Sequence, residues 1–155
     1  MVIRIVTGGQ TGADRAAMDA ALDAGVSIGG WVPAGRLAED GIIPARYASL
    51  VEAPSADPAI RTSLNVRDSN ATLIVSRGAL SGGSYFTLAE ASRLGRPLLH
   101  IDLAQRPVSD AATAIREWLR ALDDCVLNVA GPRASEDPEI GRLVYTLVRD
   151  VLGGT

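Results

Sequence analysis

Apolar and polar positions along the chain fall into two regimes. Short aliphatic runs rich in β-branched residues alternate with longer stretches in which apolar residues recur every three or four positions. Val2–Thr7 is a run of the first kind and leads into Gly8-Gly9-Gln10-Thr11-Gly12; Ala13–Ala24 is small, apolar and helical in period, and Gly25 closes it as a glycine just past a helix end does. A second strand is predicted over Ile28–Val32 and a short third over Leu50–Glu52. Between them Pro33–Ala45 is rich in Pro, Gly and charge, long enough to be an ordered or functional loop. A helix is predicted over Asp57–Arg67, a buried strand over Ala71–Ser76, a second glycine loop over Arg77–Gly83, and a helix over Thr87–Leu94 that Gly95 and Pro97 stop. Leu98–Ile101 reads as a strand and Asp110–Asp123 as a helix with Trp118 and Leu122 on one face. Val126–Val129 is the last strand, and Pro138–Leu152 the last helix.

Strands alternating with helices predict an α/β fold of three layers, a Rossmann-like parallel sheet of about six strands with helices on both faces. Right-handed crossovers then favour the strand order 3-2-1-4-5-6. In that order the first and fourth strands, which feed the two glycine loops, are neighbours at the switch point, and ligands bind there beyond the carboxyl ends of the strands. The last strand would lie two spacings from the fourth, roughly 10 Å away.

Composition narrows the chemistry. The 155 residues suit one domain over 1–155, and 47% apolar with 21% charged residues is an ordinary globular profile. No run is long enough for a membrane helix, and the N-terminus lacks the regions of a signal peptide, so a cytoplasmic protein without membrane contact is expected. Cys125 and His100 are the only residues of their kinds, which excludes an internal disulfide and a Cys/His zinc site, so no structural metal is expected; Cys125 heads an apolar run and is expected to be buried. All 15 basic residues are arginine, which removes Schiff-base chemistry and a P-loop lysine but suits bidentate binding of oxyanions. With a net charge of −3 and no arginine stripe, nucleic acid is not an expected partner.

The candidate site follows from the two loops. In the first, Gly8, Gly9 and Gly12 permit close backbone approach, Gln10 adds an amide side chain, and Thr11 with Asp14 reads either as a capping pair or as ligand contacts. In the second, Gly82 and Gly83 offer amides at a helix start, and Ser81, Ser84 and Thr87 offer hydroxyls. Arg61 and Asn65 share a helix face ahead of the fourth strand, Arg133 follows the last strand, and Arg36, Glu39 and Asp40 could close over the site. The first loop is neither the dinucleotide fingerprint nor a P-loop.

Taken in order, Gly8–Arg15, Gly29-Gly30-Trp31-Val32-Pro33, Ala38-Glu39-Asp40-Gly41, Asn65–Ser69, Leu80-Ser81-Gly82-Gly83 and Leu127–Arg133 resemble the molybdenum-carrier family over nearly the whole chain. That family lies in a wider superfamily with the lysine-decarboxylase-like proteins, some of which are phosphoribohydrolases. The resemblance implies binding of molybdenum cofactor (molybdopterin, a phosphate-bearing pterin dithiolene) or molybdate. It also implies a carrier role more than an enzymatic one, assembly as a homodimer or homotetramer, and molybdoenzymes or cofactor-synthesis proteins as partners. Two alternatives stay open. In a nucleotide-processing hydrolase, Arg61 and Glu90 would be catalytic, as in the Pro-Gly-Gly-x-Gly-Thr-x-x-Glu loop of the enzymatic relatives. Here Ser81 replaces the proline and Thr87 lies one residue further on, a phase shift of about 100° if the extra residue is helical. The other alternative is a nucleotide-sensing module.

Overall fold

The structure, a computed structural model, describes residues 1–153. Its elements run β1 (Val2–Val6), α1 (Ala13–Asp23), β2 (Ser27–Gly29), β3 (Trp31–Val32), β4 (Leu37–Ala38), β5 (Gly41–Ile42), β6 (Val51–Glu52), α2 (Pro58–Asp68), β7 (Ala71–Ser76), α3 (Gly82–Arg93), β8 (Leu98–Asp102), α4 (Val108–Arg120), β9 (Cys125–Ala130) and α5 (Ile140–Gly153). The α/β class with a parallel central sheet agrees with the expectation from periodicity.

The sheet has five strands, not six, in the order β2-β1-β9-β7-β8. The strand expected over Ile28–Val32 is cut at Gly30, whose φ of 125° only glycine adopts readily; a Cβ there would lie 2.2 Å from the Thr7 carbonyl oxygen. β3 therefore leaves the sheet and pairs with β6 in a separate two-stranded ladder, while β4 and β5 form a small antiparallel hairpin.

The expected order 3-2-1-4-5-6 is overturned. β9 lies between β1 and β7, paired parallel to both, so the strands feeding the two glycine loops are not neighbours, and the last strand adjoins the fourth directly. Burial explains the placement. β7 is buried at every position, and Cys125, Leu127, Asn128 and Val129 of β9 are buried too, as strands flanked on both sides and covered on both faces require. Counted from β7 through the chain end and back to β2, the strands lie in the order 2-1-3-4-5, the other common doubly wound arrangement, with its switch point between β7 and β9. The chain is thus a circular permutation of that arrangement.

α1, α4 and α5 cover one face, where α5 packs on both others, and α2 packs on α3 over the opposite face. The alanines of α1 (Ala13, Ala16, Ala17, Ala20, Ala21) let α5 approach closely, burying Ile140, Val144, Leu147 and Val148. Trp118, Leu122 and Tyr145 are partly buried against the same core. Cys125 is buried, and burial pushes its thiol pKa up, as befits an inert core cysteine. No helix among the described residues is long and apolar enough to cross a membrane.

Candidate functional site

A cleft of about 310 Å³ opens at the carboxyl ends of β1, β9 and β7. β9 forms its floor through Asn128, Val129, Ala130 and Gly131, while α2 contributes Pro58, Ala59, Arg61, Thr62 and Asn65. The start of α3 adds Gly82, Gly83, Ser84, Phe86 and Thr87; the first glycine loop and α1 add Gly8, Gln10 and Asp14; Arg133 and Glu136 stand at the rim. Both glycine loops therefore reach one cleft, although they flank β9 instead of each other. Gly131 allows the floor to close up, since a Cβ there would lie 2.4 Å from the Val75 carbonyl oxygen.

The two loops differ in what they offer. In the first, most donors are already used. Gly9 N–H donates to Thr7 Oγ1 (3.1 Å), Gln10 N–H to Asp14 Oδ2 (3.2 Å) and Thr11 N–H to Gln10 Oε1 (3.0 Å). Gly12, not Thr11, is the N-cap of α1, and no side chain caps that helix. The Thr11 hydroxyl instead donates to Glu39 and accepts from Ala134 N–H (3.1 Å). The reading of Thr11 as the cap of α1 is corrected, and Gly9, Thr11 and Gly12, read above as candidates for the site, lie outside the lining of the cleft. Gly9 packs under Ile43, and Gly12 under Pro132.

In the second loop the donors are open. α3 begins at Gly82, earlier than its periodicity suggested, because glycines give no apolar pattern. Its N-cap Ser81 is extended and makes no side-chain cap bond. The first-turn amides of Gly82, Gly83 and Ser84 thus have no side-chain acceptor at the positive end of a helix. Ser81 faces a separate shallow hollow beside Arg77. Thr87 lines the cleft while its hydroxyl donates to the Gly83 carbonyl (2.9 Å).

Arg61 spans the cleft from α2. Its guanidinium rests on Gly8, where a Cβ would lie 2.4 Å from Nε, so glycine at position 8 makes the seat. Nη1 donates to the Pro58 carbonyl (3.2 Å) and to the Thr62 hydroxyl, whereas Nε is buried with no partner among the described residues. Such an orphan is costly, and a bound acceptor would satisfy it. Asn65, by contrast, spends both ends of its amide on Trp31, accepting from N–H (2.7 Å) and donating to the carbonyl (3.0 Å), so it locks α2 to β3. Arg133 pairs with Glu136 at 3.4 Å.

Glu90 is absent from the lining. Since α3 starts at Gly82, the extra residue before Thr87 is helical and Glu90 faces α2, accepting from Ser63 (2.7 Å) and from Arg93 (2.8 and 2.9 Å). These donors hold its carboxyl below the usual range, Arg93 foremost. Arg61 and Glu90 do not converge on one cleft. Nor does the β4–β5 hairpin close over it: Glu39 binds Thr11 and Ser135, Asp40 forms a bidentate pair with Arg15 (2.5 and 2.7 Å), and Arg36 donates to carbonyls of its own loop. The hairpin braces the first glycine loop from outside.

Asp14 is the buried carboxyl of the cleft, 7% exposed. Burial pushes its pKa up to about 6, against the pull of Arg61 and of the Gln10 and Gly8 amides. The folded state therefore holds this proton more tightly than the unfolded chain, with its value of 3.8. The contribution of Asp14 to stability is therefore greatest below about 4 and falls as the pH rises through about 6, by roughly 3 kcal/mol in all. Asp14→Asn should raise the urea midpoint at pH 7.5 and leave it nearly unchanged at pH 4; an equal shift at both would show that the charge is not the cause.

The sequence missed the floor. Asn128–Gly131 reads as a strand end, but its expected place is two strands from the fourth, whereas β9 pairs with β7 directly. Phe86, Pro58 and Ala59 carry no pattern that distinguishes a cleft wall from a helix surface. Among the described residues no cluster of His, Cys, Asp and Glu is arranged to hold a metal ion.

Comparison with known proteins identifies the architecture. The model of the circularly permutated YpsA SLOG family matches residues 5–152. A crystal structure from Syntrophus aciditrophicus SB, of a protein named "putative molybdenum carrier protein", superposes with a TM-score of 0.95 and is 48% identical, covering 97% of this chain and 95% of that one. No curated protein matches the chain.

Proposed function

The chain belongs to the circularly permutated YpsA SLOG family, and from that premise we propose that its cleft holds an anionic, phosphate-bearing small molecule which the protein carries without transforming it. The observation that bears this reading is the pairing of the uncapped α3 start with Arg61, whose buried Nε has no partner among the described residues. Amides at a helix N-terminus and a guanidinium together are the standard means of binding a phosphate group. The 48% identical relative is named a molybdenum carrier, and of the molybdenum-bearing ligands it is the phosphate-bearing cofactor that the residues present suit. Arg61 and the amides of Gly82–Ser84 would hold its phosphate, and Phe86, Pro58 and Ala59 offer apolar contact to a planar ring. Carriage is favoured over hydrolysis by the position of Glu90, which is neutralised by Arg93 away from the cleft.

The test is titration calorimetry with ribose 5-phosphate as probe, comparing wild type with Gly8→Ala. The new methyl group would displace the Arg61 guanidinium, a flexible group, at little cost in stability. Affinity should fall about tenfold, the worth of a charge-assisted hydrogen bond, while the melting temperature changes little. Unchanged affinity in Gly8→Ala would remove Arg61 from the site. Release of free base from nucleoside monophosphates by the wild type would replace carriage with catalysis.

A further inference from the structure

A phosphate subsite alone leaves the carboxyl at the cleft wall without a task. Asp14 is nine-tenths buried, lines the same cleft as Arg61, and forms no salt bridge among the described residues. The Gln10 amide donates to it (3.2 Å), and the Gly8 amide lies close enough to favour its charged form. A carboxylate has about four lone-pair positions, so acceptor capacity is left over. Gly8 brings the two groups together, since its amide points at Asp14 and its Cα supports the Arg61 guanidinium. Whatever Arg61 binds is therefore a neighbour of the carboxyl.

For a bare oxyanion this is a poor arrangement, because a carboxylate repels it across a short, water-poor distance. For a molecule whose hydroxyl or N–H lies beside its phosphate, the same carboxylate is a buried acceptor that would otherwise go unfilled. Sites built around a buried polar group strongly reject analogues that lack its partner. We infer that the cleft takes an organic phosphate whose carbon skeleton carries a hydroxyl or N–H donor next to the phosphate, read by Asp14, and that it discriminates against free tetrahedral oxyanions. The inference rests on the anion-binding reading of the cleft and refines it.

The charged groups around Asp14 are Arg61 from α2, Arg15 from α1, and Arg133 with Glu136 from the segment after β9. Glu136 is paired with Arg133, which leaves Asp14 as the carboxyl of this group without an ion-pair partner among the described residues. The state of Asp14 thus governs the local change between pH 5 and pH 8.

The experiment compares ribose 5-phosphate, methyl phosphate and sulfate by calorimetry at pH 5 and pH 8, on wild type, Asp14→Asn and Asp14→Ala. Methyl phosphate shares the titration of the ester, near pH 6, but its skeleton has no donor; sulfate has no donor at all. At pH 8 the wild type should bind ribose 5-phosphate at least tenfold more tightly than methyl phosphate. That ratio should shrink several-fold in Asp14→Asn, which keeps one acceptor oxygen, and disappear in Asp14→Ala. Sulfate should gain several-fold affinity at pH 8 in Asp14→Asn, and little at pH 5, where the wild-type carboxyl is protonated. Equal wild-type affinity for the two phosphate esters, or an equal gain for both in Asp14→Asn, would overturn the inference and leave the anion subsite standing. Failure of all three ligands to bind the wild type would overturn the anion subsite and the inference with it.

Discussion

Arg61→Ala should lower the affinity for ribose 5-phosphate at pH 6 by about a hundredfold. A guanidinium contributes charge and paired donors to a phosphate, and two hydrogen bonds at the lower end of the range for charged groups, about 1.5 kcal/mol each, come to about 3 kcal/mol, or on the order of a hundredfold. The fold should survive, because the change deletes a buried Nε that has no partner among the described residues, and the Nη1 bonds it also removes stay within α2. Melting temperature should therefore stay level or rise while affinity collapses. Arg61→Lys should restore little, since an ammonium cannot reproduce the planar fork. A coupled effect is also expected. Arg61 is the main group pulling the Asp14 pKa down, so its loss should move that titration above about 6, visible in the carboxyl carbon shift by NMR. Full affinity retained in Arg61→Ala would place the anion elsewhere.

Gly30→Ala should cost about 4 kcal/mol or more, since a Cβ there makes the closest backbone approach of any glycine position among the described residues. Two costs add. The backbone there is at φ 125°, and the new Cβ would lie 2.2 Å from the carbonyl oxygen and 2.8 Å from the nitrogen of Thr7. Backbone atoms of the sheet cannot swing aside as a side chain can, and β1 would have to part from β2, where Thr7 N–H donates to Gly29 (3.2 Å). Gly78→Ala is the control: φ is 96°, but nothing lies within 4 Å of its Cβ. It should cost only the backbone strain, about 1–3 kcal/mol. Urea unfolding of both variants separates the terms, and equal midpoints would mean that contact with Thr7 contributes nothing.

Much of the molecule was legible in local pattern. The Ala71–Ser76 run is a strand at its predicted bounds, and the helix predicted over Asp57–Arg67 appears one residue later, with Asp57 accepting from Ala59 N–H (3.0 Å) as its N-cap. Alternation of strands and helices was enough for the α/β class. Arg61 and the glycine pair at Gly82-Gly83 could be chosen as candidates because residue type restricts chemistry before any fold is known. These properties depend on neighbours a few positions away, which one chain displays directly.

What tertiary structure alone decided are the choices made by distant partners. β9 inserts between β1 and β7 because a strand buried on both faces gains most in the middle of the sheet; periodicity reports how a strand is buried but not which strands flank it. Donor use is equally nonlocal. Asn65 and Arg61 lie on one helix face, yet Trp31 consumes the amide of the first while Gly8 leaves the guanidinium of the second with a buried, unmatched N–H. Glu90 became an ion-pair partner because an additional helical residue turned it towards α2. Asp14 acquired its raised pKa from walls supplied by other segments, since desolvation is a property of the enclosing volume and not of the residue.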